Sequence, residues 1–311
     1  VMPTLYDALA ERVAEHHDTF SRILNGESVF TNVPTGIERW DRNGGIERGV
    51  TTLLCLASGH GKSHVALQLA RTPAQMGMSV GLLSFEDPKD RTADRILANV
   101  TGIDSGDLGR ISYEEDGLKQ LMAGLRDSEW AKKVDYQHGL KTSKEVFDYI
   151  AESTHDIDII DYAQAIPEAP GRTLEQTLSD AAWDWNKAAQ DRKKAVVVFA
   201  QVKPDVDVRG RQFFDANRQR GYPAALSGYR PGPGKADVPR CTALYDRSKV
   251  VGYGWRPGKL AKQLGLLEKG QAVKDDHIEW NFDKWNFGVE GSLKVGFDGA
   301  HSRLFDYKEA K

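Results

Sequence analysis

The sequence predicts an α/β protein built on a mostly parallel sheet, with antiparallel strands added at the C-terminal edge. Three observations support this. Between Val50 and Ala200, short apolar runs alternate with helical patterns; a glycine-bearing loop joins the first run to a helix; and after Arg240, short strand-like runs follow one another without long helices between them. Alternation of the first kind supplies the crossover that parallel strands need. Consecutive short strands pair antiparallel instead.

The chain has 311 residues, enough for one large domain or two modest ones. Its 42 Lys plus Arg face 45 Asp plus Glu, a net charge of −3, so any site for a polyanion must be local. A 40% hydrophobic and 28% charged composition is that of a globular protein and excludes a disordered or fibrous chain. The longest apolar stretches, Val50 to Ala57 and Ala195 to Ala200, fall far short of the roughly 20 residues of a membrane helix. No signal-peptide core is evident. Cys55 and Cys241, the only cysteines, have no CxxC spacing, which points to the reduced cytoplasm and away from structural zinc.

Residues 1–33 read as an amphipathic helix and a linker. Leu5, Leu9, Val13, Phe20 and Leu24 recur at helical spacing, with Thr4 as N-cap. Such a helix packs either on its own domain or on a neighbouring subunit. Residues 34–311 read as one domain. Its expected strands are Thr51–Leu56, Val80–Phe85, Ile157–Ile160 and Val196–Ala200, with helices from Lys62 and over Arg91–Val100. The C-terminal runs Val250–Trp255, His277–Asp283, Ser292–Phe297 and Arg303–Tyr307 are the expected antiparallel addition. Between the two groups, residues 201–240 hold five of the 12 prolines and carry eight Lys or Arg against four Asp. They read as a long mobile basic loop.

The strongest motif is Leu56-Ala57-Ser58-Gly59-His60-Gly61-Lys62-Ser63, placed between a strand and a helix. In a phosphate-binding loop the amides at the helix start cradle phosphate oxygens, the lysine neutralises them and the hydroxyl reaches Mg²⁺. Ser58, Gly59, His60, Gly61, Lys62, Ser63 and His64 are therefore the candidate nucleotide-binding residues. Leu56 stands where the full pattern has glycine. Two carboxylates at strand ends complete the requirement for nucleotide hydrolysis. Asp161 closes Ile157–Asp161 and with Ser63 would hold the metal, and Glu86, after Gly81–Phe85, would activate water.

These residues resemble the ATPase domain of DnaB-family replicative helicases, a RecA-like P-loop fold, from about Pro34 to Tyr307. The resemblance rests on Pro34–Asp41, on Ser84-Phe85-Glu86 followed by Arg95–Ala98, and on Asp161-Tyr162-Ala163-Gln164. Phe199-Ala200-Gln201 and Lys284–Gly288 with Gly291–Leu293 and Phe297–Gly299 extend it. It implies an ATP- and Mg²⁺-dependent DNA helicase of a short, divergent, phage-like type. It also implies a homohexameric or other ring, translocation on single-stranded DNA, and primase or loader proteins as partners. Catalytic roles would fall to Lys62, Glu86 and to Gln201 as phosphate sensor. Lys284 would act as a finger in the next subunit's site, since Asn286 replaces the usual arginine. The basic segment 203–240 lies where such proteins contact DNA. Arg209, Arg211, Arg218 and Arg220 would meet phosphates, and Phe213, Phe214 and Tyr222 would offer stacking faces. Three other functions are compatible with the same residues. They are a recombination or repair ATPase without unwinding, a nuclease using Asp205, Asp207 and Asp215, and a regulatory ATPase that binds protein.

Overall fold

The apolar runs become the centre of a sheet in the computed structural model of the chain. It describes residues 5–25, 31–86, 88–111, 113–203, 205–220, 237–263, 265, 276–285 and 292–307. The chain divides into two compact units, Val1–Asn32 and Val33–Lys311. In the first, α1 (Leu5–Leu24) is the helix expected there, and Thr4 lies outside the described residues.

The second unit begins with α2 (Glu38–Arg42), β1 (Thr51–Leu56), α3 (Lys62–Gln75), β2 (Val80–Ser84) and α4 (Lys89–Thr101). It continues with α5 (Leu108–Ile111), α6 (Glu115–Asp127), β3 (Val134–Gln137), α7 (Ser143–Glu152), β4 (Ile157–Asp161), α8 (Leu174–Arg192) and β5 (Ala195–Gln201). Next come α9 (Asp205–Ala216), α10 (Thr242–Arg247), β6 (Val250–Trp255), α11 (Pro257–Gln263), β7 (His277–Lys284), β8 (Ser292–Asp298) and β9 (Arg303–Asp306). Among the described residues the strands form one sheet in the order β3-β2-β4-β5-β1-β6-β7-β8-β9. The six from β3 to β6 run parallel, and β7, β8 and β9 follow antiparallel.

The strands β1, β2, β4 and β6 are buried along their whole length, and mainly apolar, because both faces are covered. Along β1, Leu53 and Cys55 enter a core with Leu174, Leu178 and Trp185 of α8, while Leu54 and Leu56 enter a second core with Val65 and Leu69 of α3 and with Trp280. On the α8 side, helix starts are set by capping boxes, Thr142 with Glu145 for α7 and Thr173 with Gln176 for α8.

Two expectations are corrected. Val250–Trp255 is not part of the antiparallel addition: β6 pairs parallel to β1, Thr52 opposite Val250 and Leu56 opposite Gly254. The reason lies in the second correction. Residues 205–216 are the helix α9 and not a loop, and Arg218–Arg220 form a short 3₁₀ turn. With α10, that helix gives the chain the length to cross from β5 to the far side of β1 and re-enter parallel. Residues 221–236 lie outside the described residues.

Next to the sheet's N-terminal edge, a charged network is closed off from water. The Lys194 Nζ lies 2.7 Å from Asp158, and their side chains are 1% and 0% exposed. Asp158 also accepts from Ser153 Oγ at 2.7 Å and lies 2.8 Å from His155 Nδ1. Removing one member leaves a buried charge without its counterion. Lys194→Met is expected to lower unfolding free energy in urea by about 3–5 kcal/mol. An unchanged midpoint would show that Asp158 does not depend on the ammonium.

Candidate nucleotide-binding and hydrolysis site

The parallel strands bring four separate chain segments to one edge. Leu56 pairs with Gln201 and Ser84 with Asp161, so the loop after β1, the ends of β4 and β5 and the residues after β2 leave the sheet side by side. Open parallel sheets bind ligands at this C-terminal edge.

The loop between β1 and α3 is shaped by two left-handed glycines, Gly59 at φ +72° and Gly61 at φ +99°. Gly61 is the N-cap of α3, so the loop delivers the amides of the helix start to the cleft. Leu56, which replaces a glycine of the usual pattern, ends β1 as a fully buried core residue.

Lys62 is the centre of the site. Its side chain is 8% exposed, and its Nζ stands 2.7 Å from Glu86 Oε2 and 3.6 Å from Asp161 Oδ1. The ammonium also lies 3.4 Å over the Tyr162 ring. Two carboxylates and an aromatic face thus compensate a cation that burial would otherwise penalise. Glu86 is half-exposed, while Asp161 is buried. Gln201 is fixed through its backbone: Gln164 Nε2 donates to its carbonyl at 3.0 Å, and its N–H donates to Gln164 Oε1 at 3.0 Å. Gln164 therefore splints the ends of β4 and β5.

Ser58, Gly59, Gly61, Lys62, Ser63, His64, Glu86 and Gln201 line one cleft of about 260 Å³. Arg91, Arg95, Arg256 and Phe297 complete it, residues that the sequence did not single out for the site. The i, i+4 spacing of Arg91 and Arg95 on the helix after Glu86 was the available signal for two of them. Arg256 and Phe297 come from the end of β6 and from β8, too far along the chain for spacing to reveal them. The Arg256 guanidinium pairs with Asp276 and sits 3.8 Å over the Phe297 ring. The cationic lining suits an anionic ligand. Ser63 and Asp161 share a smaller adjoining cavity, and a hydroxyl with a carboxylate is a donor set of hard oxygens that fits Mg²⁺.

His60 is not turned to the cleft. It is fully buried, and burial in the first place lowers its pKa, with the cations Lys259 and Arg256 acting in the same direction against Asp207.

Lys284 lies elsewhere in the same chain. It pairs opposite Val251, at the N-terminal end of β6, while the phosphate loop follows the C-terminal end of the parallel neighbour β1. Its Nζ donates to the carbonyls of Tyr245 at 2.6 Å and Asp246 at 3.3 Å, at the end of α10. Asn286 lies outside the described residues. Among the basic residues, Arg211 and Arg220 are exposed, and Arg209 lies 3.0 Å from Asp237. The side chain of Arg218 and all of Tyr222 lie outside the described residues. Phe214 is not a stacking face, because it is 4% exposed and belongs to the core, against which Phe213 also packs.

A phosphate loop, two carboxylates and a glutamine at the edge of a parallel sheet define a RecA-like P-loop domain. Residues 32–213, more than half of the chain, match the DnaB-like helicase C terminal domain, and the chain belongs to this family. It is 27% identical over 207 residues to a probable plasmid replicative DNA helicase of Chlamydia trachomatis serovar L2, covering 65% of this chain and 46% of the relative. The chain thus spans less than half the length of the curated relative. Among solved structures it resembles one described as an ATPase domain, with a TM-score of 0.73 and 16% identity over 99% of this chain and 100% of that one. A DnaB-like replicative helicase, described with its interactions with primase, gives a TM-score of 0.72 at 16% identity, over 99% of this chain and 68% of that one. Among the described residues, no helix is long and apolar enough to cross a membrane.

A methyl group on Gly61 would meet Phe297 Cε2 at 2.8 Å and force a side chain into left-handed backbone. Gly61→Ala is expected to cost about 1–3 kcal/mol of stability in urea unfolding. It should also abolish binding of a fluorescent ATP analogue, and retained binding with full stability would show that the loop relaxes freely.

Proposed function

We propose that this chain is the ATP-driven motor domain of a replicative DNA helicase, working in the cytoplasm as a homohexameric or other ring on single-stranded DNA. The observation that carries the reading is the meeting of Lys62, Glu86 and Asp161 at the mouth of the phosphate loop. The names of the relatives, replicative helicases, support the same direction.

Without nucleotide, Glu86 and Lys62 satisfy each other. Entering phosphates would compete for the ammonium and release Glu86, which is then placed to accept a proton from water attacking in line with the scissile bond. The loop amides and Lys62 hold the phosphates, and Arg91, Arg95 and Arg256 add positive charge around them. Ser63 and Asp161 would hold Mg²⁺, which when bound neutralises charge on the phosphate oxygens. Gln201 would report phosphate occupancy along β5 to the segment carrying Arg209, Arg211, Arg218 and Arg220. Lys284 would serve a neighbouring subunit's site in trans, on leaving the carbonyls that hold it. Primase or loader proteins are the partners that this reading supplies.

Lys62→Ala is expected to lower ATP turnover by about 10²–10³-fold, measured by phosphate release, because it removes a positioned cation from developing charge. Glu86→Gln should lower turnover by about 10²–10⁴-fold yet bind the nucleotide at least as tightly as wild type, since Lys62 no longer has a competing carboxylate. Loss of both binding and turnover in Glu86→Gln would overturn the assignment of the base.

For DNA, log affinity should fall with log salt by about 0.7 per phosphate contact. Replacing Arg209, Arg211, Arg218 and Arg220 together by Ala should flatten that slope while basal turnover persists. An unchanged slope would assign the segment to another role. Strand displacement from a forked duplex tests the motor itself, with DNA-stimulated hydrolysis but no displacement as the contrary result.

A further inference from the structure

His60 lies between the two left-handed glycines of the phosphate loop, and both its ring nitrogens are engaged. The backbone N–H of Arg256 donates to Nδ1 at 3.0 Å, and Nε2 lies 3.1 Å from Asp207 Oδ1. A backbone amide can only donate, so Nδ1 is the acceptor and Nε2 carries the proton directed at Asp207. Geometry alone therefore defines a neutral imidazole in one tautomer. Burial acts to raise the Asp207 carboxyl, but the bond from His60 and the nearby charges of Lys259 and Arg211 leave it below the ordinary carboxylate value.

Asp207 lies in the first turn of α9, and the same helix bears Arg209 and Arg211. Arg209 in turn pairs with Asp237, on the far side of the residues 221–236. A buried side chain of the phosphate loop is thus tied directly to the helix that opens the basic segment. This contact does not pass through β5 or Gln201. Seating phosphates on the loop amides would shift the loop backbone, and His60 has no slack: it is 0% exposed and bonded on both sides.

We propose that the His60–Asp207 hydrogen bond is a coupling link between the phosphate loop and α9, with Asp207 as a positioning residue that acts through His60. The inference rests on the proposed function for the identity of the two ligands it couples. Nucleotide on the loop biases α9, and by reciprocity DNA on the basic segment biases the loop.

The test compares wild type with Asp207→Ala, which removes the acceptor, and Asp207→Asn, which retains an oxygen for the Nε2 proton. Hydrogen exchange of the α9 amides is measured with and without a non-hydrolysable ATP analogue and Mg²⁺, and ATP turnover with and without single-stranded DNA. In wild type the analogue should change α9 exchange by about fivefold, the worth of one hydrogen bond. Asp207→Ala should abolish that response and lower the DNA stimulation of turnover about fivefold with basal turnover retained, and Asp207→Asn should restore both.

The proposal is overturned if α9 responds to bound analogue in Asp207→Ala as it does in wild type. It is also overturned if basal and stimulated turnover fall in the same proportion, or if Asp207→Asn restores nothing. Should Asp207→Ala fail to fold, wild type and Asp207→Asn still decide: no response of wild-type α9 to bound analogue, or its loss in Asp207→Asn, contradicts the link. A normal α9 response in a protein whose turnover ignores DNA would instead leave the link standing and refute the DNA-motor reading.

Discussion

The Lys62 ammonium cannot be buried to 8% exposure without compensation, and its partners come from strands that are distant in sequence. Glu86 follows β2, and Asp161 ends β4. Both reach Lys62 only if β2, β4, β5 and β1 lie in one sheet, parallel, with their C-terminal ends level. The register that sets Ser84 opposite Asp161 and Leu56 opposite Gln201 meets that requirement. Slipping one strand by a residue would also exchange the side chains it gives to the two close-packed cores, so core packing and site geometry impose the same register.

The surrounding contacts stiffen this arrangement from three directions. Gln164 joins the ends of β4 and β5, and Arg256 reaches from the end of β6 to the phosphate loop through its amide and to Asp276 through its guanidinium. His60 extends the connection to α9. The loop is thus held by strands on one side and by a buried imidazole on the other. The Lys62–Glu86 pair at 2.7 Å satisfies both charges at the mouth of that loop.

The fold was legible where residues are buried on two faces. The strands β1, β4 and β5 are mainly apolar runs buried on both faces of the sheet, and their bounds could be read to within a residue. The short edge strand β3, Val-Asp-Tyr-Gln, is partly exposed and carries no such signal. The helix α9 was hidden by the average composition of residues 201–240, whose prolines and glycines cluster after residue 220, whereas Phe214 in residues 205–216 packs in the core. Most of the candidate site was legible too, from strand ends and loop spacing. Lys62, Glu86, Asp161 and Gln201 sit at strand ends or in a loop of fixed spacing, so local sequence identifies them. Arg256, Phe297 and Asp207 reach the loop by tertiary folding alone, and the turn of His60 away from the cleft depends on an acceptor that lies 147 positions along the chain.

The central claim, that Lys62, Glu86 and Asp161 form the nucleotide site, is tested most directly by a crystal structure of the chain with Mg²⁺ and a non-hydrolysable ATP analogue. The Lys62 Nζ is expected to leave Glu86 for phosphate oxygens, with Glu86 freed toward the terminal phosphate. An analogue seated away from the loop, with the Lys62–Glu86 pair intact at its 2.7 Å separation, would contradict it.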